Sequence, residues 1–215
     1  MSDVTPYPDT QKQPRLTRWV IVAGALLLAL LGSILLLSEP HPADLGGRDG
    51  KLGGAFTLTS ADGPVSLSDF RGQTVVVYFG FTNCPKVCPA SMGTIKRSFN
   101  RLSTAQQAKV QALLITVDPE RDTPQVLAQF AQRYHPRIIG LTGSQAELDA
   151  VAADYGSFIE PTAGAAESDF RHSSRYYIIN PNGELVDAMR HGTSANELTA
   201  RLQQVLGQSA QGALS

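Results

Sequence analysis

Two cysteines, Cys84 and Cys88, are the whole thiol supply of a chain of 215 residues. They lie in Thr82-Asn83-Cys84-Pro85-Lys86-Val87-Cys88-Pro89, directly after the apolar run Val75-Val76-Val77-Tyr78-Phe79 and before a helical pattern. A helix N-terminus presents unpaired N–H groups and a partial positive charge, so a thiol placed there has its pKa lowered. The pair therefore points to metal binding or to thiol–disulfide exchange. Three residues separate the cysteines, one more than in the Cys-x-x-Cys redox spacing. On a helical turn this spacing turns both sulfurs the same way, with room for an ion between them. It also keeps the Cα atoms within bridging range, so a redox-active disulfide between Cys84 and Cys88 is open as well.

The surrounding pattern predicts the elements that hold the pair. Ala55–Thr59 and Val65–Leu67 flank the turn Asp62-Gly63-Pro64 and read as a hairpin. Thr74–Phe79 and Val110–Val117 read as buried strands, and Ile138–Leu141 as a short one. Pro89–Leu102 reads as a helix with Met92, Ile95, Phe99 and Leu102 on one face. Pro124–Tyr134 reads as a helix capped by Thr123, and Ser144–Tyr155 as one whose Ser144 and Glu147 make a capping box. Tyr176–Ile179 and Leu185–Met189 flank Asn180-Pro181-Asn182-Gly183 as a second hairpin, and a last helix starts near Ser194. The order β-α-β-α-β-α-β-β-α predicts an α/β, thioredoxin-like fold, a mixed central sheet flanked by helices. The cysteines then fall at the end of its first central strand.

Two thiolates rarely complete a metal site, and four histidines offer a third donor. His41 sits in a Pro- and Gly-rich stretch. His135 precedes Pro136 at a helix end, where the helix dipole alone favours histidine. His191 follows the last strand, and His172 lies just before the antiparallel strand Ser174–Ile179. In this topology the start of that strand comes next to the cysteine loop, which favours His172. Thiolates with imidazole suit copper.

Three motifs in this order resemble the SCO/SenC family of membrane-anchored, thioredoxin-like copper proteins that help assemble cytochrome c oxidase. They are Phe79-Gly80-Phe81-Thr82-Asn83-Cys84-Pro85-Lys86-Val87-Cys88-Pro89, Thr116-Val117-Asp118-Pro119-Glu120-Arg121-Asp122-Thr123-Pro124, and His172-Ser173-Ser174 before Tyr176-Tyr177-Ile178-Ile179. The resemblance covers about residues 54–204 and the apolar segment near the N-terminus. It implies that Cys84, Cys88 and His172 are copper ligands and that Asp118 is a carboxylate tuning the site. It implies a metallochaperone that delivers copper to the binuclear copper centre of the oxidase, with the copper-bearing oxidase subunit and other copper chaperones as partners. Read from the residues alone, Asp118 also suits an Asp-Pro turn. The family commonly has an acidic residue between the cysteines, where this chain has Lys86. A lysine there favours thiolate and anionic partners.

The competing reading is a thiol–disulfide oxidoreductase that keeps the cysteines of that copper centre, or of another partner, reduced. A thioredoxin-type enzyme has a proline before the antiparallel strand, where this chain has Ser173-Ser174-Arg175. A peroxiredoxin-like peroxidase is a third reading. Its loop carries a proline that Gly80-Phe81-Thr82 lacks.

The rest of the chain bounds where this chemistry operates. A net charge of −1 and a charged fraction of 17% give no basic patch for nucleic acid. Trp19–Leu37 is a run of 19 residues without a charge, long enough to cross a bilayer of roughly 30 Å as a helix. It exits into Ser38-Glu39-Pro40-His41-Pro42, a poor cleavage site, and neither cysteine lies near it, so it reads as an uncleaved anchor. Residues 1–18 read as a cytoplasmic tail, 38–53 as a flexible linker and 54–211 as the folded domain. Lys12, Arg15 and Arg18 before the span keep the N-terminus in the cytoplasm. In a bacterial host this makes a single-pass inner-membrane protein with its domain in the oxidising periplasm. Alkaline phosphatase fused after Ser215 is then expected to be active, because its disulfides form only outside the cytoplasm. Recovery of a soluble domain beginning near Glu39 would identify the segment as a signal peptide.

Overall fold

The computed structural model describes residues 52–157, 159–161 and 170–212. The expected anchor, Trp19–Leu37, lies outside them, as do the tail and nearly all of the linker. Among the described residues no helix is long and apolar enough to cross a membrane.

The chain opens with the hairpin β1 (Thr57–Ser60) and β2 (Gly63–Ser66), followed by a 3-10 turn, Leu67–Phe70. Next come β3 (Thr74–Gly80), α1 (Val87–Phe99), α2 (Thr104–Gln107), β4 (Val110–Thr116) and α3 (Pro124–Gln132). They are followed by β5 (Ile138–Leu141), α4 (Gln145–Asp154), β6 (Ile159–Pro161) and β7 (Phe170–His172). The hairpin β8 (Arg175–Ile179) and β9 (Leu185–Arg190) and the long helix α5 (Ala195–Gly212) complete the fold.

Five strands form one sheet in the order β5-β4-β3-β8-β9. β3 pairs in parallel with β4, and β4 with β5; β8 and β9 run antiparallel. This is the thioredoxin-like arrangement that the order of elements predicts. β3 and β4 are buried at all seven positions of each, because layers cover both faces. On one face, Phe79 and Tyr177 stack edge-on against Tyr155 at 6.0 and 5.5 Å between ring centroids. On the other, strand alternation turns Tyr78 and Gly80 toward α1, which packs against α5. Gly140 of β5 shares that face, and a Cβ there would come 2.5 Å from Leu127 of α3.

The caps form as the sequence predicts. Thr123 Oγ1 accepts the Val126 N–H, and Ser144 and Glu147 satisfy each other's backbone N–H groups at 3.3 and 2.8 Å. Other boundaries differ. α1 starts at Val87 and not at Pro89, because proline is tolerated anywhere in a first turn, where N–H groups have no helical partner. It ends at Phe99; Leu102 is buried, but from a following turn. The first hairpin turns at Ala61-Asp62, with Ser60 pairing Gly63. The short antiparallel pair β6–β7 carries no alternation that would reveal it, and His172 ends its second strand, opposite Ile159.

One buried carboxylate ties the cysteine loop to the sheet. Asp122 is fully buried. It accepts the Thr82 N–H at 3.0 Å, the Thr82 hydroxyl, and the Thr116 hydroxyl at 2.7 Å. The loop leaving β3 is thereby held to the end of β4, next to the Val117 N–H to Gly80 carbonyl bond of 2.9 Å. Asp122→Ala leaves the buried Thr116 hydroxyl and two half-buried Thr82 donors without this acceptor and is expected to cost about 3 kcal/mol. Asp118→Ala, which removes an ion pair to the half-exposed Arg121, is expected to cost less than about 1.5 kcal/mol. Urea unfolding of the reduced protein checks the ranking, and equal losses would refute it.

Candidate metal and dithiol site

The loop from β3 delivers both sulfurs to the start of α1. Lys86 occupies the N-cap position without a side-chain bond to the helix. A sulfur takes that place: the Cys88 N–H donates to Cys84 Sγ at 3.4 Å. Cys84 Sγ thus does for α1 what a Ser or Asp oxygen does elsewhere. Cys84 is 9% exposed and Cys88 0%, and both are free thiols.

The two thiols differ sharply in acidity. Cys84 is lowered to about 5, chiefly because the Cys88 thiol donates to it. The N–H groups of Cys88, Lys86 and Val87 add to this, against the opposing effect of burial. Cys88 is pushed far up, because it holds the shared proton and is buried, and the charges of Cys84 and Asp122 add to the effect. The pair therefore holds one proton between two sulfurs. Lys86 contributes through its backbone N–H, while its side chain is exposed. The lysine charge, expected from the sequence to favour thiolate, is not among the main causes.

Close approach also dictates the residue at the end of β3. A Cβ on Gly80 would come 2.9 Å from Cys88 Sγ and 3.0 Å from the Tyr78 ring. Any side chain there would displace the sulfur. Tyr78 lies under the site, its phenol pushed up by burial and by Cys88, with the Ser91 and Ser174 hydroxyls acting the other way.

The histidines separate by their surroundings. His135 is a core residue. Its ring stands perpendicular to Phe99 at 5.4 Å, and its Nδ1 accepts the Arg137 N–H at 3.1 Å. Burial, with Arg137 and Lys96 nearby, holds its pKa down. Phe99 is eleven residues along α1 from Cys88, or about 16 Å, so His135 belongs to the far end of the helix. His191 is exposed, and its Nδ1 bonds Ser91 Oγ at 3.1 Å. His41 lies outside the described residues. His172 ends β7, three residues before β8 begins. Tyr176 of β8 pairs with Tyr78 of β3, so the start of β8 lies beside the strand end from which the cysteine loop leaves.

Asp118 is buried, and its carboxylate is engaged by Arg121 Nε at 2.6 Å. Its carbonyl accepts the Asp122 N–H at 2.9 Å, closing the turn that delivers Asp122. The carboxylate whose charge acts on Cys88 is Asp122, which the sequence reading passed over. Its one linear signal is its place just before the Thr123-Pro124 helix start, which reads as an ordinary turn. Among the described residues, no group of three or more His, Cys, Asp and Glu is arranged to hold a metal ion.

With Cys84 at about 5, its thiolate is fully formed near neutrality. Iodoacetamide is expected to alkylate Cys84 at a rate that is flat between about pH 6.5 and about pH 8 and half-maximal near pH 5. Cys88 is expected to stay unmodified. Mass spectrometry of the labelled peptides checks both, and a rate still rising tenfold per pH unit above neutrality would refute the depressed acidity.

Comparison with known proteins agrees with this fold. A sequence model of the SCO1/SenC family matches residues 46–207. The mitochondrial protein SCO2 of Saccharomyces cerevisiae is 32% identical over 86% of this chain and 65% of its own length. The chain spans about half to two thirds of the length of the mitochondrial relatives it matches. The crystal structure of Arabidopsis thaliana ScoI with copper bound is 31% identical, with a TM-score of 0.68 over 73% of this chain and 99% of that one. BsSco, described with a disulfide switch and as a member of the Sco family of cytochrome c oxidase assembly proteins, is 25% identical. Its TM-score is 0.60 over 72% of this chain and 92% of its own. With three quarters of its length matched by the family model and its central sheet shared with copper-bound Sco structures, this chain belongs to the SCO1/SenC family.

Proposed function

We propose that this protein is a copper carrier for the assembly of cytochrome c oxidase, holding copper with Cys84, Cys88 and His172 and passing it to the copper-bearing subunit. One observation carries the reading: two buried free thiols meet at a helix start, where Cys84 Sγ accepts the Cys88 N–H at 3.4 Å and its acidity is raised. Such a pair fits a soft cation, which replaces the shared proton. Binding of Cu(I) releases that proton from Cys88 to solvent and leaves a dithiolate. Transfer is then ligand exchange, in which thiolates of the recipient replace Cys84 and Cys88 one at a time. Asp118 acts at one remove, through the turn that presents Asp122.

The same asymmetry supports a second reading as a thiol–disulfide oxidoreductase. Cys84 thiolate would attack a partner disulfide, and Cys88, losing its proton, would resolve the mixed disulfide. Two electrons pass to the partner and an intramolecular disulfide remains. The disulfide switch described for BsSco supports keeping this reading. We propose for either role the same placement: residues 1–18 in the cytoplasm, 19–37 across the inner membrane, 38–53 as linker and 54–211 in the periplasm.

Reduced protein spanning residues 39–215 is expected to take up one Cu(I), or one Cu(II) with a thiolate charge-transfer band. Copper stoichiometry that survives serine at both Cys84 and Cys88 would refute this. His172→Ala is expected to weaken Cu(II) more than Cu(I), since two thiolates suffice for Cu(I) at low coordination. A larger effect from His191→Ala or His135→Ala would reassign the ligand. A deletion strain whose oxidase is restored by added copper supports the carrier, and one restored by small thiols and indifferent to copper supports the reductase.

A further inference from the structure

A cleft of about 530 Å³ opens between α1, the start of β8 and the turn that leads from β9 into α5. One wall is the α1 stripe Ala90, Thr94 and Arg97, continued by Arg101 in the turn after the helix, and the opposite wall runs from His191 to Asn196. No aspartate or glutamate lines it. Arg97 and Arg101 are exposed, and neither pairs with a carboxylate among the described residues.

Both guanidiniums are held by neutral partners. Arg97 Nη2 donates to Thr94 Oγ1 at 3.1 Å, and Arg101 Nη1 donates to the Arg97 carbonyl at 2.8 Å. Arg97 also leans over Gly93, where a Cβ would come 3.2 Å from Nη1. The mid-helix glycine thus leaves room for the arginine to lie along the wall. Each guanidinium keeps further N–H donors for a ligand. The neighbouring acids are already spent: Glu197 accepts the Ser194 N–H at 2.7 Å, and Asp187 pairs with Arg201 at 2.6 Å.

We propose that this cleft docks an acidic segment of a partner protein. The arginines supply the bidentate recognition that carboxylates favour. The volume, far beyond that of one carboxylate or phosphate, suits several residues of extended chain. Ala90 lies in the first turn of α1, so a segment anchored here reaches the end of the helix that carries Cys88. The inference rests on the proposed transfer role only for its purpose; binding itself is measured without copper.

The test uses full-length protein in a non-ionic detergent and a fluorescein-labelled hexapeptide of alternating glutamate and alanine, followed by anisotropy. The peptide is expected to bind, to weaken as salt rises, and to lose about tenfold or more with Arg97→Gln and Arg101→Gln combined. The combined Arg97→Lys and Arg101→Lys variant is expected to recover part of the affinity. Copper stoichiometry should be the same in all three proteins, which separates failure of the cleft from failure of the copper site. No binding, equal binding of a lysine–alanine peptide, or unchanged affinity in the glutamine variant would overturn the proposal. Inorganic phosphate competing as well as the peptide would overturn it in favour of a small-anion site.

Discussion

The contact between Cys88 Sγ and the bare backbone of Gly80 is the constraint on which the site depends. It joins the start of α1 to the end of the central strand with no side chain between them. β3 is itself immobilised by β4 on one side and β8 on the other, and every residue of it is buried. The sulfur is therefore referenced to the most rigid part of the sheet. Asp122 fixes the intervening loop from the other direction, through both donors of Thr82 and the hydroxyl of Thr116. A loop pinned at both ends leaves the two thiols little choice of separation.

That geometry sets the electrostatics. A sulfur facing the open start of a helix meets several N–H groups at once, and Cys84 gains most because the Cys88 thiol also donates to it. Cys88 is penalised by burial and by two neighbouring negative charges. One cysteine is thus prepared as a thiolate while the other retains a proton until a cation or an electrophile arrives. Carrier and reductant need the same preparation, which is why one dithiol supports both readings.

The histidines illustrate how tertiary surroundings sort identical side chains. His135 spends its ring on Phe99 and the Arg137 N–H, a structural use of an aromatic with one acceptor nitrogen. His191 bonds Ser91, one turn beyond Cys88, and belongs to the wall of the arginine-lined cleft. The cysteines open α1 and the arginines lie near its other end, so one helix carries two faces of different chemistry.

Much of the fold was legible in the chain because it rests on local rules. Runs such as Val75–Phe79 and Leu113–Ile115 mark strands covered on both faces. Ser144 with Glu147, and Thr123 before Pro124, mark helix starts through hydrogen bonds made within four residues. The pairing of two cysteines at a strand-to-helix junction was equally local, as was the motif set that pointed to the SCO/SenC family. Tertiary structure alone decided that β6 pairs with β7 and that Gly80 must lack a side chain. It also decided that Asp122 is the carboxylate tied to the cysteine loop, and that Arg97 and Arg101 share a cleft with His191. Each of these depends on contacts between separate segments, and no periodicity or cap in one segment records what another will place against it.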